Sequence, residues 1–372
     1  MMSDRSRPSQ PPVGFRMPAE WEPHEATWLV WPHRLSDWPG RFGPIPWVYG
    51  EIVRKVAAGE TVRVLVQSKT HEDGARRLLA KVGADTQRVE CLRFPTDRGW
   101  ARDFGPIFVR RDGPKPQVAI ARFRFNAWAK YADWKKDDQI PERAGRELKL
   151  PLRPVVWNGR PVVLEGGSID VNGRGTLVTT EECLLDPVVQ VRNPGMGRRD
   201  LETVFRDVLG VTNILWLGRG IAGDDTHGHV DDLCRFVNPR TVVLCREKNP
   251  RDANHRALEE NAERARGMRL EDGTRLEVVP LPMPAPLSFA GQRLPASYAN
   301  FYVTNAAVLV PTFNDPADRI ALGTLAELIT DRPIVGIHAV DLVWGLGTLH
   351  CLSQQQPAAS PGLASTPSSK AR

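Results

Sequence analysis

The chain has 372 residues, of which 41% are apolar and 25% are charged, with a formal net charge of +6. This composition is typical of a globular protein and excludes a chain that is disordered throughout. Residues 1–16 and 352–372 carry five basic residues against one acid, so most of the excess charge lies at the two ends and the nearly neutral body gives no sign of a nucleic-acid partner.

The longest apolar runs, such as 303–310, are much shorter than the roughly 20 residues that a membrane-spanning helix needs. The first residues show no apolar segment of the kind found in signal peptides. The five cysteines are an odd number without a CxxC pair, which argues against a disulfide framework and a structural zinc site. We therefore expect a cytoplasmic protein with no membrane partner, and a homo-oligomer is compatible with the sequence.

The two ends of the sequence lack apolar periodicity. Residues 1–13 are rich in Pro, Ser and Arg, and 353–372 are rich in Gln, Ser, Ala and Pro. These patterns predict no regular structure in either segment. We expect disordered tails over 1–14 and 357–372 and a single domain over 15–356.

Between the ends, one order of elements recurs: a helix, a strand, a polar turn and a hairpin. The first two copies show a strand and a hairpin: strand 88–94 with hairpin 106–124, and strand 161–164 with hairpin 169–179. The next two also show a helix: helix 199–209 with strand 213–217 and a strand pair within 230–246, and helix 253–266 with strand 276–281 and hairpin 300–313. The last copy begins with helix 316–329 and strand 333–338. Marker residues chosen near the turns recur at intervals of about 53 to 69 residues, which exceeds the period of most solenoids and propellers. Five such units in a ring would bring their polar turns to one centre.

The polar turn at 97–106 (DRGWARDFGP) combines two carboxylates, Asp97 and Asp103, with the indole of Trp100. A carboxylate and an aromatic face together suit a planar cation. A surface turn with a buried Trp explains the pattern equally well. Glu165 follows the apolar strand 162–164, where either a site residue or a simple hairpin opening fits.

The segment 223–232 (GDDTHGHVDD) holds four carboxylates and two histidines. On an extended backbone His227, His229 and Asp231 would share one face. They could hold a divalent metal ion for hydrolysis, or one histidine could act as general acid and base beside a carboxylate that binds a cation. A solvated polar turn is the structural alternative.

The segment 345–351 (GLGTLHC) brings Cys351 directly after a glycine-bearing turn. A cysteine nucleophile needs a stabilised and accessible thiolate, whereas a buried cysteine is more often structural. On an extended segment His350 would point away from Cys351, so we expect a structural role for it. One thiol, one or two imidazoles and three carboxylates near strand ends suit covalent attack on a positively charged carbon.

Seven segments, in the order of the family's motifs, resemble the agmatine deiminase family, which also contains bacterial peptidylarginine deiminases. They are 28–32 (WLVWP), 100–106 (WARDFGP), 125–128 (FNAW), 164–168 (LEGGS), 226–232 (THGHVDD), 297–301 (SYANF) and 347–355 (GTLHCLSQQ). The resemblance covers about 15–355. It implies an α/β fold of the pentein type, a propeller of five pseudo-repeated modules, with no metal and no cofactor.

The resemblance also implies an activity, the hydrolysis of a guanidinium group to a ureido group with release of ammonia. Agmatine is the expected substrate, giving N-carbamoylputrescine on the route to putrescine, and an arginyl peptide is the runner-up. A metal-dependent hydrolase and a pentein that binds a guanidino ligand without catalysis stay as alternatives.

By motif position, the resemblance assigns the nucleophile to Cys351 and the general acid and base to His229. The carboxylates of Asp103 and Asp231 would bind the guanidinium nitrogens. The remaining site residues would complete the catalytic set or bind substrate, and they are Glu165, Trp100, Asp225 and Asp97. Among them, Asp225 is expected to bind the ammonium at the far end of agmatine.

Two departures from the family pattern lie around the expected site. Many agmatine deiminases have Asn-Gly-His where this chain has His227, Gly228 and His229. The FNAW motif is usually followed by a glycine pair, where this chain has Ala129 and Lys130. Both departures concern the surroundings of the catalytic set.

Overall fold

The structure is a computed structural model and describes residues 14–360. Of the tails expected over 1–14 and 357–372, residues 1–13 and 361–372 lie outside the described residues. The strands are β1 (Phe15–Arg16), β2 (His24–Val30), β3 (Thr61–Leu65), β4 (Val89–Leu92), β5 (Ile107–Arg111), β6 (Gln117–Arg122), β7 (Leu152–Pro154), β8 (Val156–Trp157), β9 (Arg160–Pro161), β10 (Asp170–Val171), β11 (Thr176–Thr180), β12 (Asn213–Leu217), β13 (Cys234–Phe236), β14 (Thr241–Arg246), β15 (Glu277–Pro282), β16 (Ser288–Phe289), β17 (Gln292–Arg293), β18 (Tyr302–Val303), β19 (Val308–Thr312), β20 (Ile334–His338) and β21 (Ser353–Pro357). The helices are α1 (Ile45–Val56), α2 (Lys69–Lys81), α3 (Ala101–Phe104), α4 (Ile140–Leu148), α5 (Glu181–Leu185), α6 (Arg198–Leu209), α7 (Ala253–Ala265), α8 (Pro316–Leu328) and α9 (Leu349–Leu352).

Five sheets share one pattern, in which an antiparallel strand pair is extended by a parallel strand. Their strand orders are β21-β2-β3-β4, β1-β5-β6-β7, β10-β11-β12, β13-β14-β15 and β18-β19-β20. In each sheet a helix connects the pair to the parallel strand, as such a crossover requires; these helices are α1, α4, α6, α7 and α8. The expected α/β fold with five pseudo-repeated modules is thus confirmed.

Helix α6 shows how the sequence builds these crossovers. Its buried residues Leu201, Val204, Phe205 and Leu209 recur with the spacing of one helix face. The Asp200 carboxylate accepts a hydrogen bond from the backbone N–H of Gly197 at 2.9 Å and caps the start of the helix. The apolar face then packs against the sheet that the following strand β12 completes.

The predicted strand 161–164 is shifted in the structure. Asn158 and Gly159 have φ of 47° and 78° and form a tight turn between β8 and β9. This turn makes Arg160–Pro161 the second strand of a small hairpin, and Val163 makes only an isolated bridge to Arg124. The apolar residues 162–164 are buried as an irregular segment that leads to Glu165.

The prediction that residues from 353 onwards lack regular structure is wrong for 353–357. This segment forms β21, which is buried and pairs antiparallel with β2. Its glutamine side chains are hydrogen-bonded inside the protein: Gln354 donates to the carbonyl of Pro106 at 2.9 Å, and Gln356 accepts from the indole of Trp28 at 3.1 Å. The polar composition reflects buried hydrogen bonding, so the domain extends past 356 and includes Pro357.

Within residues 14–360, none of the helices combines the length and the apolar character needed to cross a lipid bilayer.

Candidate active site

The connection that leads into each antiparallel pair carries polar residues towards one cavity. These residues are Asp103 before β5, Glu165 before β10, His229 and Asp231 before β13, Asn300 before β18, and Cys351 before β21. Asp103 and Cys351 reach the wall of a cavity of about 220 Å³, and all six are buried. Five separate stretches of sequence therefore contribute to one site.

Cys351 lies in the short helical turn α9, and its thiol contacts two neighbouring side chains. The Asn300 amide donates to Sγ at 3.1 Å, and Sγ lies 3.8 Å from Oδ2 of Asp231. Burial raises the pKa of the thiol well above its usual value, and the nearby carboxylates of Asp231, Asp232 and Asp103 raise it further. A cation bound between the thiol and these carboxylates would reverse the second effect.

His229 is surrounded by carboxylates but hydrogen-bonded to none of them. Its Nδ1 lies 3.8 Å from Asp103 and 3.9 Å from Asp231, and its Nε2 lies 3.6 Å from Glu165. Among the described residues, neither ring nitrogen has a hydrogen-bond partner, and Oδ1 of Asp231 has none either. Buried polar atoms without partners cost about 1–3 kcal/mol each. The ring nitrogens of His229 and Oδ1 of Asp231 are therefore suited to contact a polar ligand.

The surroundings of His229 and Asp103 shift the pKa values of both side chains. Burial alone would lower the pKa of His229, but the carboxylate of Asp103 and contacts with Cys183 and Glu165 raise it well above the usual value. Burial raises the pKa of Asp103 to about 7, which the neighbouring acids Asp231 and Glu165 reinforce. At neutral pH the site therefore combines an imidazolium with a carboxyl group close to its own titration point.

Gly167 lies against the point where the side chains of His229, Asp103 and Asp231 meet. A Cβ atom added at this position would lie 2.6 Å from Nδ1 of His229, 2.9 Å from Oδ1 of Asp103 and 3.1 Å from Oδ2 of Asp231. The backbone N–H of Gly167 also donates to Asp103 at 3.2 Å. Only glycine leaves room for these three side chains to converge.

Asp231 is held by a chain of buried polar groups. Its Oδ2 contacts Nδ1 of His350 at 2.6 Å, and Nε2 of His350 contacts Glu20 at 2.8 Å. Burial opposes ionisation of Asp231, but the hydrogen bond with His350 outweighs it and lowers the pKa of the carboxyl. Asp231 therefore stays ionised next to the cavity.

Glu20 is the common acceptor of this buried network. Besides His350 it accepts hydrogen bonds from Arg102 at 3.1 Å and from Arg235 at 2.9 Å. The Arg235 and His350 charges lower the pKa of Glu20 well below its usual value despite its burial. The network fixes Arg102 and His350, the residues next to Asp103 and Cys351 in the sequence.

Glu165 faces His229 on one side and an arginine on the other. Arg192, which is also buried, donates to Glu165 at 3.2 Å. Burial raises the pKa of Glu165, but the charge of Arg192 outweighs it and the pKa falls to about 2. Glu165 is therefore a permanent carboxylate that supports the charged imidazole.

Aromatic rings form the wall of the cavity next to Asp103. Trp100 and Trp128 both line it, and the Trp128 indole donates to Oδ2 of Asp103 at 2.9 Å. This bond and the Gly167 N–H hold the two oxygens of Asp103 in a fixed orientation. The predicted place of Trp100 in the pocket agrees with this geometry.

Asp225 lines the same cavity, but its carboxylate is already engaged. One oxygen forms an ion pair with Lys130, and the other accepts a hydrogen bond from the Tyr131 hydroxyl at 2.6 Å. The preceding Asp224 folds the loop, since its carboxylate accepts from the backbone N–H of Gly228 at 2.7 Å. Lys130, one of the departures from the family pattern, is thus the immediate partner of Asp225.

Two sequence-based expectations differ from the structure. Asp97 is not among the residues that line the cavity, because its carboxylate accepts from the backbone N–H of Lys136 at 2.9 Å. His227 does not share a face with His229, because its φ of 65° turns the backbone and its Nε2 contacts Asp186 at 2.9 Å. We therefore do not assign Asp97 to substrate binding, and the three-residue metal set with His227 does not form.

Two other groups of donor atoms, each within 4.8 Å of one another, remain in the site: Glu165 with Cys183 and His229, and Asp231 with Asp232 and Cys351. Both consist of residue types that bind metal ions. In the first group, the guanidinium of Arg192 on Glu165 opposes a second cation. In the second group, Asn300 already donates to both Asp232 and Cys351. Neither group therefore favours a metal ion over an organic cation.

Five residues around the expected catalytic residues were not predicted from the sequence: Glu20, Trp128, Cys183, Arg192 and Asn300. His350 was expected on an extended segment, with a structural role. The segment is instead a helical turn, which rotates consecutive side chains by about 100° and directs His350 to Asp231. Trp128 and Asn300 lie in the segments 125–128 and 297–301, which resemble motifs of the family. Their position in these motifs was a signal that could have identified both residues.

The comparisons with known proteins agree with this geometry. The model of the Porphyromonas-type peptidyl-arginine deiminase family matches residues 16–357. The agmatine deiminase of Pseudomonas aeruginosa (strain LESB58) is 35% identical over 376 residues, covering 93% of this chain and 96% of that protein. Among solved structures, the agmatine deiminase of Enterococcus faecalis superposes with a TM-score of 0.85 at 30% identity, covering 96% of this chain and 100% of that one. A substrate-bound C. jejuni agmatine deiminase superposes with a TM-score of 0.82 at 28% identity, covering 93% and 97%.

Proposed function

This chain belongs to the Porphyromonas-type peptidyl-arginine deiminase family, and from this premise we propose that it is a hydrolase that converts agmatine and water to N-carbamoylputrescine and ammonia. Curated relatives that match over almost their whole length, such as those of Pseudomonas aeruginosa and Stutzerimonas stutzeri, are agmatine deiminases. The reaction class follows from the family.

One observation supports the proposal above all. The thiol of Cys351 and the carboxylate of Asp103 line one small cavity, and the buried carboxylate of Asp231 lies 3.8 Å from Sγ of Cys351. The buried imidazole of His229, whose ring nitrogens have no hydrogen-bond partner among the described residues, lies 3.8 Å from Asp103. A guanidinium ion carries N–H donors for the carboxylates and an electrophilic carbon for the thiol. A volume of about 220 Å³ is below the range of about 300–1,000 Å³ usual for larger ligands, so it favours a short linear molecule.

In the first half-reaction, Asp103 and Asp231 hold the guanidinium nitrogens so that the central carbon faces Sγ of Cys351. The bound cation offsets the carboxylates that oppose ionisation of the thiol, so the thiol releases its proton to solvent and becomes a thiolate. The thiolate attacks the carbon and forms a C–S bond. The imidazolium of His229 donates a proton to one nitrogen, which leaves as ammonia and gives a thiouronium intermediate.

In the second half-reaction, the now neutral His229 accepts a proton from water as the water attacks the thiouronium carbon. The C–S bond then breaks and the thiolate is regenerated, and the ureido product forms as the remaining hydroxyl proton passes to solvent. Glu165 stabilises the charged form of His229 throughout, because it stays ionised on Arg192. One histidine therefore serves as acid and then as base.

Ammonia release tests this function directly. The enzyme should release ammonia faster from agmatine than from free arginine or from an arginyl peptide, measured as kcat/KM for each. The same rate in the presence of a strong chelator is expected, since no step above needs a metal ion. Preference for the arginyl peptide would assign the protein to peptidyl-arginine deimination, and loss of activity with the chelator would favour a metal-dependent hydrolase.

The pair formed by Lys130 and Asp225 favours arginine derivatives as the second candidate substrates. Together they offer one positive and one negative group, and Asp225 lines the cavity. A carboxylate beside an ammonium would match both groups, whereas agmatine matches only Asp225. The substrate panel distinguishes the two, since free arginine and agmatine present the same guanidinium group.

Substitutions at this pair should change the KM for agmatine in opposite directions. Asp225→Asn removes the acidic partner of the substrate's ammonium, a charge-assisted contact worth about 1.5–3 kcal/mol, so KM should rise about tenfold or more. Lys130→Ala frees Asp225 from its competing cation, so KM should fall. A neutral alkylguanidine is the control, and its KM should change little in either variant. Equal effects on both compounds would show that Asp225 supports the loop of His229 instead.

The pKa of Asp103 predicts an acidic limit of activity. Burial raises this pKa to about 7, so the carboxylate that binds the cation is present above pH 7 and is lost as the pH falls below it. Glu165 and Asp231, whose pKa values are lowered, stay ionised in this range. We expect kcat/KM for agmatine to decrease up to tenfold per pH unit below about pH 7, measured from pH 5.5 to 8.5. A flat profile between pH 5.5 and 7 would contradict this role.

A further inference from the structure

The side chain of Asn300 is the most completely hydrogen-bonded group next to the nucleophile. Its Oδ1 accepts from the Thr348 hydroxyl at 2.8 Å and from the backbone N–H groups of His350 at 3.1 Å and Cys351 at 3.4 Å. Its Nδ2 donates to Asp232 at 3.0 Å and to Sγ of Cys351 at 3.1 Å. Three donors on the oxygen and two acceptors at the nitrogen leave one orientation for the amide.

The thiol needs such a donor because its other neighbours oppose the thiolate. The acids Asp231, Asp232 and Asp103 all raise the pKa of the Cys351 thiol. Among the described residues, Asn300 is the only side chain that donates a hydrogen bond to Sγ. The amide is 1% exposed, so water does not compete for this contact.

We propose that Asn300 is a further catalytic residue, whose amide N–H stabilises the Cys351 thiolate during attack and during its release from the thiouronium intermediate. Its oxygen at the same time fixes the turn α9 through the backbone of His350 and Cys351. The inference rests on the nucleophilic role of Cys351 in the proposed function. It adds a donor to a site in which the other neighbours of the nucleophile are acids.

Asp232 orients this amide. Its carboxyl group is buried, accepts the second N–H of Asn300, and belongs to the same cluster of atoms as Asp231 and Sγ. Burial and the charge of Asp231 raise the pKa of Asp232 well above its usual value. This raised pKa weakens the opposition of Asp232 to the thiolate, while its carboxyl group still accepts the hydrogen bond from Asn300.

The test measures the thiol itself. Iodoacetamide alkylation of Cys351 in the full chain without substrate is followed by mass spectrometry of the peptide that contains it, across pH. Asn300→Asp keeps one acceptor oxygen and replaces the N–H donors with a second carboxyl oxygen, and Asn300→Ser removes the donors without adding an acid. The energy of a hydrogen bond to a charged group corresponds to a pKa shift of about one unit or more. In either variant, the pH midpoint of Cys351 alkylation should therefore rise by at least about one unit, and alkylation at pH 7.5 should slow at least about tenfold.

Thr348→Val is the matched control, because Thr348 donates to the same Oδ1 but does not contact Sγ. Its alkylation midpoint should stay within about 0.3 units of the wild type. Asn300→Ser replaces the Asp variant if thermal melting shows that the latter is unfolded. An unchanged midpoint in either folded Asn300 variant, or an equal shift in Thr348→Val, would overturn the proposal.

The alkylation readout is independent of the substrate. A protein that failed to release ammonia from agmatine would disprove the proposed function, yet the pH dependence of alkylation would still report on Asn300. In the active enzyme, Asn300→Asp should also lower kcat at least a hundredfold with less than a threefold change in KM. We expect kcat to change much more than KM because Asn300 contacts the nucleophile and does not line the cavity.

Discussion

Replacing Cys351 with serine should abolish ammonia release from agmatine, with a loss in kcat of at least about a thousandfold. A hydroxyl occupies nearly the same space as the thiol but ionises far less readily in a site with three nearby acids. Binding should persist, because the carboxylates of Asp103 and Asp231 are unchanged. Steady-state ammonia release and calorimetric titration with agmatine measure the two effects separately.

Cys234→Ser is the control for this experiment, since Cys234 is another buried thiol that lies in β13 and is not among the residues that line the cavity. Mass spectrometry of enzyme quenched during turnover should show the covalent intermediate in the wild type and not in Cys351→Ser. If the Cys351 variant kept a tenth of the wild-type activity, covalent catalysis by this residue would be disproved.

Replacing His229 with glutamine should lower kcat about a hundredfold to ten-thousandfold, the range expected for loss of a general acid and base. Glutamine is similar in size but cannot protonate the departing nitrogen or accept a proton from water. Both half-reactions should slow, which rapid-quench measurement of ammonia formation and intermediate decay would resolve. The intact fold of the variant can be checked by its melting temperature.

The matched control is His227→Gln, two residues earlier in the same loop. Its ring contacts Asp186 outside the cavity, so kcat should change less than about threefold, an energy below 1 kcal/mol. Large and equal losses in kcat for both variants would be inconsistent with a general acid and base at His229 alone. They would point to a site in which both histidines act together, such as a metal centre.

The repeating order of elements was predictable because each module carries strong local signals. Helix 253–266 and strand 213–217 have clear periodicity, and the structure places them at Ala253–Ala265 and Asn213–Leu217. Strand β21 was not predictable in this way. The glutamines of this strand give it the composition of a polar tail. Their burial is explained by hydrogen bonds with β2, β3 and Pro106, which the sequence pattern does not show.

For the site, the sequence indicated residue types but not their contacts. Cys351, His229 and Asp103 were identified from motifs, and the structure brings them together around one cavity. The ion pair of Asp225 with Lys130 and the contact of Asp97 with Lys136 depend on loops that no periodicity describes. Glu20 was missed for a related reason, since a lone acid near the start of the domain gives no local sign of its buried partners.

The pairing of β21 with β2 also has a consequence during protein synthesis. The indole of Trp28 donates to Gln356, 328 residues further along the chain, and Cys351 lies directly before this strand. A nascent chain on the ribosome can therefore assemble the carboxylates and the imidazole well before the thiol emerges. Contacts between such distant segments form slowly. We therefore expect the newly made protein to have no activity towards its substrate until β21 has paired with β2.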